Sequence, residues 1–293
     1  MTALMQCPQC RSDASFMFAA RDLNRRRSDA QFSYFRCGNC GLIFMPDIPA
    51  DLSAYYAEDY YQTLSLDELR KTACAERFKI DLIRSHAGGG RLLEIGPSRG
   101  AFAYLAREAN YDVEVIEKDR RCCTFINDVL GIKAIASDDP AAVLPTLGKY
   151  DVIALWHVVE HLADPWKLLD LVAANLAHDG VLVIATPNPE SLQFQVLGAA
   201  WPHVDAPRHT CLVPRQTLVE RLQRHGLRLA ATITNDLSAR SANRFGWGAF
   251  LANRLSNRWL RRPAYLLGCA FSVPLMLVER RGRASAYTVV FRK

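Results

Sequence analysis

"RLLEIGPSRGAFAYLA", residues 91–106, decides the fold of this chain. Residues 92–95 have the apolar character of a buried strand, and residues 96–100 contain two glycines and predict a turn. Residues 101–106 continue with the apolar spacing of a helix. A strand, a glycine-containing turn and a helix in this order are typical of nucleotide-handling α/β domains, so we expect the turn to hold a ligand.

The alternation of strand and helix patterns continues from this unit to about residue 233. The segments typical of strands are Leu92–Ile95, Val113–Glu117, Ile132–Ala136, Asp151–Trp156, Val181–Thr186 and Leu229–Ile233. Strands that alternate with helices form a parallel sheet with right-handed crossovers, and ligands bind at the carboxyl ends of the strands. We therefore predict an α/β fold with a Rossmann-like, doubly wound, mostly parallel sheet.

The residue types in the turn discriminate between possible ligands. A dinucleotide fingerprint requires glycine where Ser98 stands, and a Walker loop requires a Gly-Lys-Ser/Thr sequence that this turn lacks. The chain instead has an acid-x-Gly-x-x-x-Gly pattern from Glu94 to Gly100, with Gly96 between them, and a second acid, Glu117, ends the next strand. A carboxylate suits a ligand with a sulfonium and an ammonium group, so S-adenosylmethionine is the favoured cofactor.

Two Cys-x-x-Cys pairs, Cys7/Cys10 and Cys37/Cys40, precede this core. Each pair can present two thiolates to one tetrahedral Zn²⁺ ion, and the second pair completes the coordination. Because four protein ligands leave no open position, we expect the Zn²⁺ to be structural. The pairs predict a small N-terminal zinc ribbon.

Composition is consistent with one large domain and a small module. The chain has 293 residues, of which 50% are hydrophobic. Its first residues lack the charged-then-apolar pattern of a secretory signal, and nine cysteines, an odd number, argue against a disulfide framework. We therefore expect a cytoplasmic protein with reduced thiols.

Four segments of the chain resemble successive motifs of a known family. "LLEIGPSRGAF", "VEVIEKD", "YDVIALWHVVEHLADP" and "VLVIATPNPES" are similar to motifs of class I S-adenosylmethionine-dependent methyltransferases. They resemble the branch related to ubiquinone-biosynthesis O-methyltransferases and to tailoring enzymes of glycans and antibiotics. "CPQC", "CGNCGLIF" and "AYYAEDYY" are similar to the zinc-ribbon front end of some members.

The resemblance implies roles for individual cofactor-binding residues. These are Glu94, Gly96 and Gly100 for the methionine part, Glu117 for the ribose, Asp138 for the adenine amine, and Trp156 or His157 for the wall of the cleft. Ser98 belongs to the same binding loop, at a position where the family usually has glycine.

A hydroxyl acceptor requires a general base, and histidine has the appropriate pKa near neutral pH. His209, in "WPHVDAPRHTCLVP", looks like the histidine that related O-methyltransferases place over the acceptor, and His161 is the second candidate. We predict O-methylation of a small-molecule, glycan or lipid-linked acceptor. C-methylation of a sugar nucleotide and RNA modification by a zinc-ribbon methyltransferase are the alternatives.

Two rival motif interpretations are disfavoured. "HVVEH", residues 157–161, matches an inverted zinc-protease motif, which requires both histidines on one helix. Asp164-Pro165 predicts that the helix begins only after this pentapeptide. For a nucleic-acid methylase, the fourth strand lacks the Asn/Asp-Pro-Pro-aromatic signature, so nucleic acid is not the expected partner.

These patterns divide the chain into five segments. We expect a zinc ribbon in 1–45, a connecting segment and helix in 46–90, the methyltransferase core in 91–235, a basic amphipathic insertion in 236–284 and a final core strand in 285–293. The connecting helix is predicted over residues 66–84. Four tyrosines cluster before it, either for packing between modules or for ligand contact: Tyr55, Tyr56, Tyr60 and Tyr61.

The C-terminal segment is strongly basic. Residues 240–293 contain eleven Lys or Arg and one acid, Glu279, whereas the whole chain carries +6. The uncharged run 264–278 is shorter than the roughly 20 residues that span a bilayer. Large apolar residues and arginines recur upstream at helical spacing: Trp247, Phe250, Leu251, Leu255 and Trp259, with Arg254, Arg258 and Arg261.

Two interpretations of this basic segment stay open. Residues 246–283 either make peripheral contact with the inner face of a membrane or pack on the core or in a dimer. The arginines around the run, which include Arg280 and Arg281, favour an anionic surface.

Overall fold

A computed structural model of the protein describes residues 5–56, 65–279 and 282–293. The residues named above that lie outside these ranges are Tyr60, Tyr61, Arg280 and Arg281. The strands of the described residues are β1 (Met5–Gln6), β2 (Asp13–Arg21), β3 (Gln31–Cys37), β4 (Ile43–Phe44), β5 (Arg91–Ile95), β6 (Asp112–Glu117), β7 (Lys133–Ala136), β8 (Tyr150–Trp156), β9 (Leu176–Pro187), β10 (Cys211–Leu212), β11 (Arg228–Ile233) and β12 (Ala286–Arg292).

Ten α-helices lie in the same ranges, together with short 3₁₀ turns. They are α1 (Leu66–Ala75), α2 (Arg77–Arg84), α3 (Ala101–Glu108), α4 (Arg120–Asp128), α5 (Pro140–Val143), α6 (Pro165–Asn175), α7 (Leu192–Leu197), α8 (Arg215–Gln223), α9 (Leu237–Asn253) and α10 (Arg258–Glu279).

The central sheet has seven strands in the order β11-β12-β9-β8-β5-β6-β7. Strands β5 to β9 pair in parallel, whereas β12 pairs antiparallel with both β9 and β11. Strands β8 and β5 are almost completely buried because the helices cover both faces of the sheet. The predicted Rossmann-like α/β fold is confirmed.

The prediction of one helix over residues 66–84 is wrong in one respect, because the helix is interrupted at Glu76. The N–H of Glu76 bonds the carbonyl of Ala73, three residues earlier, and its ψ of 4° interrupts the helix. The break allows α1, through Leu69, and α2, through Ile83, to bury apolar side chains in the same cluster. Neither glycine nor proline marks this position, so the periodicity could not reveal it.

The N-terminal module forms a second sheet that includes a strand from the distant part of the chain. Its order is β1-β2-β3-β4-β10, and β10 pairs antiparallel with β4. The hydroxyl of Tyr34 in β3 donates to the carbonyl of His209, just before β10, at 2.7 Å. The module and the loop that carries His209 are therefore one structural unit.

A buried arginine joins the same two parts. Arg208 is 1% exposed. Its guanidinium forms ion pairs with Asp22, directly after β2, and with Asp205 of its own loop, each at 2.7 Å. It also donates to the carbonyl of Tyr55 at 2.9 Å. The guanidinium makes four such bonds, which a lysine ammonium with its three N–H donors could not supply.

Helices α9 and α10 form an antiparallel hairpin between β11 and β12. Gly248 and Gly268 allow their backbones to approach, since a Cβ on Gly268 would lie 2.4 Å from the carbonyl oxygen of Trp247. Trp247 is 7% exposed and its indole N–H donates to Glu279 at 3.1 Å. Trp247 therefore packs inside the hairpin, as the packing interpretation of this segment expects for that residue. No helix of the described residues is long and apolar enough to cross a bilayer.

We predict that Arg208→Ala lowers the free energy of unfolding by about 3–5 kcal/mol, because it leaves the buried Asp22 carboxylate without its cationic partner. Urea unfolding followed by circular dichroism measures this change. Arg70→Ala is the control, since Arg70 pairs with Asp67 at the surface and its loss should cost less than about 1 kcal/mol. Equal losses in both variants would contradict the role assigned to Arg208.

Candidate cofactor and acceptor site

A cavity of about 340 Å³ lies at the carboxyl ends of β5, β6 and β8. The residues assigned to the cofactor that line it are Gly96, Ser98, Glu117, Asp138, Trp156 and His157. His161, assigned to the acceptor, also contacts it. Tyr56 of the connecting segment closes the other side, so this cavity draws on segments that are far apart in the sequence.

The loop after β5 has the backbone that the glycine pattern indicates. Gly96 has a φ of +72°, and a Cβ there would lie 2.7 Å from Val158. Ser98 also has a positive φ, +52°, which explains why glycine is the usual residue at this position. Its N–H donates to a Glu117 oxygen at 2.8 Å. The loop therefore keeps its left-handed conformation with a serine because Glu117 holds the serine N–H.

Glu117 is held by two backbone groups. The N–H of Ser98 bonds one carboxylate oxygen and the N–H of Asp119 bonds the other, both at 2.8 Å. Each oxygen has two lone pairs, so each can still accept a hydroxyl from a ribose. Burial raises the pKa of the Glu117 carboxyl above its ordinary value.

Glu94 and Gly100 do not line the cavity themselves but lie behind the described residues that do. Glu94 is 3% exposed, and one carboxylate oxygen has no hydrogen-bond partner among the described residues. Burial raises the pKa of Glu94 to about 8. With no ligand bound, Glu94 is therefore mostly protonated at neutral pH, and a cationic ligand beside its unpartnered oxygen would favour the ionised carboxylate. Gly100, with a φ of +79°, packs against Ile126 and begins α3.

A second cavity of about 700 Å³ adjoins the first, and His157 and His161 line both. Much of its remaining wall comes from α9, between Ser238 and Asn253, and the rest includes Asn24 after β2, the loop with His209, and Arg261 on α10. The Nε of Arg261 has no partner among the described residues. The two cavities meet at the histidines, which is the arrangement that a methyl donor and an acceptor require.

His161 and His209 present the same tautomer. Nδ1 of His161 lies 3.1 Å from the carbonyl oxygen of Arg208, and Nδ1 of His209 lies 2.8 Å from that of His203. Because a carbonyl only accepts, Nδ1 of each ring is the donor, and Nε2 is the nitrogen of each ring that can take up a proton. Burial and the neighbouring His209 lower the pKa of His161 to about 4. His161 is therefore neutral at physiological pH.

Glu160 is a site residue that the sequence did not identify, although it lies between two predicted ones. It is fully buried, and its carboxylate bonds Nδ1 of His157 at 3.2 Å and the Thr186 hydroxyl at 3.0 Å. Burial acts to raise its pKa, but the hydrogen bond and charge of His157 and the neighbouring His209 hold the pKa of Glu160 at about 2. A permanent negative charge therefore lies beneath the histidines.

The structure places "HVVEH" on a turn and not on a helix. Residues 159–161 form one 3₁₀ turn, and α6 begins at Pro165 with Asp164 as its N-cap. The two histidines reach the same site because the chain bends there, with a φ of +58° at His157. This geometry removes the zinc-protease interpretation.

Among the described residues, two groups of side chains could hold a metal ion. The thiols of Cys7, Cys10, Cys37 and Cys40 lie within 4.8 Å of one another, and so do ligand atoms of Glu160, His161 and His209. Cys7 and Cys40 sulfurs are 3.7 Å apart, and those of Cys10 and Cys37 are 3.4 Å apart. Sulfurs on a tetrahedral Zn²⁺ at about 2.3 Å lie at comparable separations. The four-thiol group thus fits a structural zinc ion.

Comparison with known proteins identifies the fold and the family. A family model described as a methyltransferase domain matches residues 66–232, more than half of the chain. A ubiquinone biosynthesis O-methyltransferase from Bordetella avium is 27% identical over 133 residues, which cover 42% of this chain and 55% of that protein. The chain thus matches about half the length of this curated relative.

Two solved structures share the fold at low sequence identity. A SAM-dependent methyltransferase from Archaeoglobus fulgidus has a TM-score of 0.53 at 20% identity and covers 83% of this chain and 100% of its own. A putative sarcosine dimethylglycine methyltransferase from Galdieria sulphuraria has a TM-score of 0.53 at 14% identity, with 79% and 92% covered. The region that the family model matches contains β5 to β8, the loop after β5 and the turn with both histidines that line the two cavities. The chain therefore belongs to the methyltransferase domain family, with the fold of class I S-adenosylmethionine-dependent methyltransferases.

Proposed function

We propose that this protein transfers the methyl group of S-adenosylmethionine to a hydroxyl group of a small molecule bound in the second cavity. One observation carries the proposal: His161 lies where the two cavities meet, and His209 lines the second cavity with its ring centroid 4.6 Å from that of His161, each ring holding a carbonyl on Nδ1 and leaving Nε2 as the basic nitrogen. The O-methyltransferase from Bordetella avium supports oxygen as the methylated atom.

The residues around the first cavity are suited to hold the cofactor. Glu117 would offer acceptors to the ribose, and Asp138, which also lines the cavity, would accept from the adenine amine. Glu94 supplies a buried carboxylate with an unpartnered oxygen for the cationic methionine part. When bound, S-adenosylmethionine supplies an electrophilic methyl group on a sulfonium, so these residues have to bind and orient it, not activate it.

The residues between the cavities are suited to move one proton. Nε2 of His209 would accept the proton that the acceptor hydroxyl gives up when it takes the methyl group supplied by bound S-adenosylmethionine. The carbonyl of His203 keeps the His209 ring oriented and stabilises the imidazolium that results. The Glu160 carboxylate adds a negative charge nearby, which favours that cation.

We also propose that Cys7, Cys10, Cys37 and Cys40 hold one structural Zn²⁺ ion as thiolates. The ion would stabilise a module whose hydrogen bond from Tyr34 and ion pair from Asp22 position the loop with His209. Zinc would therefore support catalysis from a distance, through the geometry of the base.

For the cofactor, Glu117→Ala should weaken S-adenosylmethionine binding by about 1–3 kcal/mol, because the ribose hydroxyls and the Ser98 N–H lose their acceptor. Isothermal titration calorimetry measures the change. Glu108→Ala, which removes an exposed carboxylate on α3, should leave the affinity unaltered. Wild-type affinity in Glu117→Ala would remove the assignment.

For the base, His209→Ala should lower the methyl-transfer rate by about 10²- to 10⁴-fold while cofactor affinity stays within about twofold of wild type. The assay follows label from S-adenosylmethionine into a metabolite extract, and mass spectrometry locates the methyl group on the product. His178→Ala is the control, because the His178 side chain is 95% exposed. A carbon-methylated product, or full activity in His209→Ala, would refute O-methylation by this base.

For the metal, the purified protein should contain one Zn²⁺ per chain, and Cys37→Ser should lose it and most of the activity. Cofactor binding should persist, since the first cavity lies in the core sheet. The exposed Cys74 provides the matched control, Cys74→Ser, which should keep the metal. Elemental analysis that finds no zinc in the wild-type protein would argue against the thiolate site.

A further inference from the structure

Helix α10 leaves most of its apolar surface in solvent. Its buried residues are Gly268, Cys269, Ser272 and Glu279, which form one narrow stripe against α9. Eight large apolar side chains on the rest of the helix are at least 45% exposed: Trp259, Leu260, Leu266, Leu267, Phe271, Val273, Leu277 and Val278. A monomeric protein rarely exposes so many large apolar residues on one element, so this face requires a partner.

The exposed residues are concentrated on one side of α10. Residues 266, 273 and 277 are separated by intervals of seven and four, which place them on one face, and residues 267, 271 and 278 form the adjacent row. The buried stripe through Gly268 and Ser272 faces the opposite way. The face is therefore a continuous apolar strip along the outer side of the hairpin, which we call the α10 face.

Positive charge is concentrated at one end of the α10 face. Arg254, Arg258 and Arg262 are exposed in the turn between α9 and α10 and in the first helical turn. The guanidinium of Arg254 lies over the Phe250 ring at 4.3 Å, and that of Arg258 lies over the Trp259 ring at 4.8 Å. Arginines stacked on aromatic rings beside exposed leucines combine a cationic and an apolar surface, which suits the headgroup region of a lipid bilayer.

We propose that the α10 face is a peripheral membrane-binding surface that docks on bilayers rich in anionic lipid. The helix lies in the plane of the interface, with its leucines among the acyl chains and the arginines at the level of the phosphates. A second copy of the chain suits this face less well. In a two-fold contact along α10, parallel or antiparallel, the arginines would meet no acidic partner on the facing helix, since the sequence from 240 to 278 contains no acid.

The test is co-sedimentation of the full-length protein with vesicles. One set contains phosphatidylcholine alone, and the other contains roughly 30% phosphatidylglycerol, each at low and high salt. Binding should be about tenfold or more stronger on the anionic vesicles and should weaken at high salt. The double variant Leu267→Glu/Leu277→Glu should lose vesicle binding while it keeps cofactor affinity, which shows that the core is folded.

Two further variants separate the contributions of charge and apolar area. Arg258→Gln/Arg262→Gln should reduce the preference for anionic vesicles and its salt dependence. Val129→Glu changes a residue that is 49% exposed at the end of α4, outside the hairpin, and should bind as wild type. Binding that survives Leu267→Glu/Leu277→Glu would overturn the proposal. So would a dimer in solution that this variant dissociates, with no vesicle binding by the wild-type protein.

Discussion

The buried ion pairs of Arg208 are the constraint on which the arrangement of this site depends. A guanidinium without solvent contact is tolerated only if carboxylates and carbonyls surround it, and here they come from β2, from the connecting segment and from its own loop. The adjacent residue is His209, so a displacement of the N-terminal module also displaces the proposed base. Tyr34 holds the carbonyl of the same histidine from the same side. The N-terminal module thus acts as a support for the acceptor end of the site.

The cofactor end is built differently, from backbone groups of the central sheet. Glu117 fixes the loop after β5 through two N–H groups, and the left-handed Ser98 depends on one of those bonds. The cofactor end and the acceptor end meet at the turn after β8. There Glu160 orients His157 and accepts a hydrogen bond from the hydroxyl of Thr186 in β9. Rigid strands therefore position the proposed cofactor site, whereas a loop held by a second module positions the proposed base.

The sequence was informative where a local pattern has only one structural solution. Local patterns predict the sheet, the loop after β5 and the thiol cluster. The patterns are the alternating strands and helices, the Glu94-to-Gly100 spacing and the two cysteine pairs. In each of them the interacting residues are close in the chain or repeat with a fixed period. The break at Glu76, the burial of Trp247 and the role of Glu160 depend on contacts between distant segments. Trp247 illustrates the reason: its helical spacing is the same whether it faces a lipid or Glu279 of the neighbouring helix. Periodicity identifies a face but not what covers it.

The position of the α9–α10 hairpin links two binding equilibria, one in the second cavity and one on the α10 face. Its residues Asn253 and Arg261 line the acceptor cavity, and Asn253 is bonded to Asn24 of the N-terminal module at 3.0 Å. Any ligand that changes the position of this hairpin therefore changes the shape of the pocket, and occupancy of the pocket acts back on the hairpin with the same free energy. A bilayer bound to the α10 face would be a heterotropic effector in this sense. Acceptor affinity and membrane affinity would then be reciprocally coupled properties of one chain.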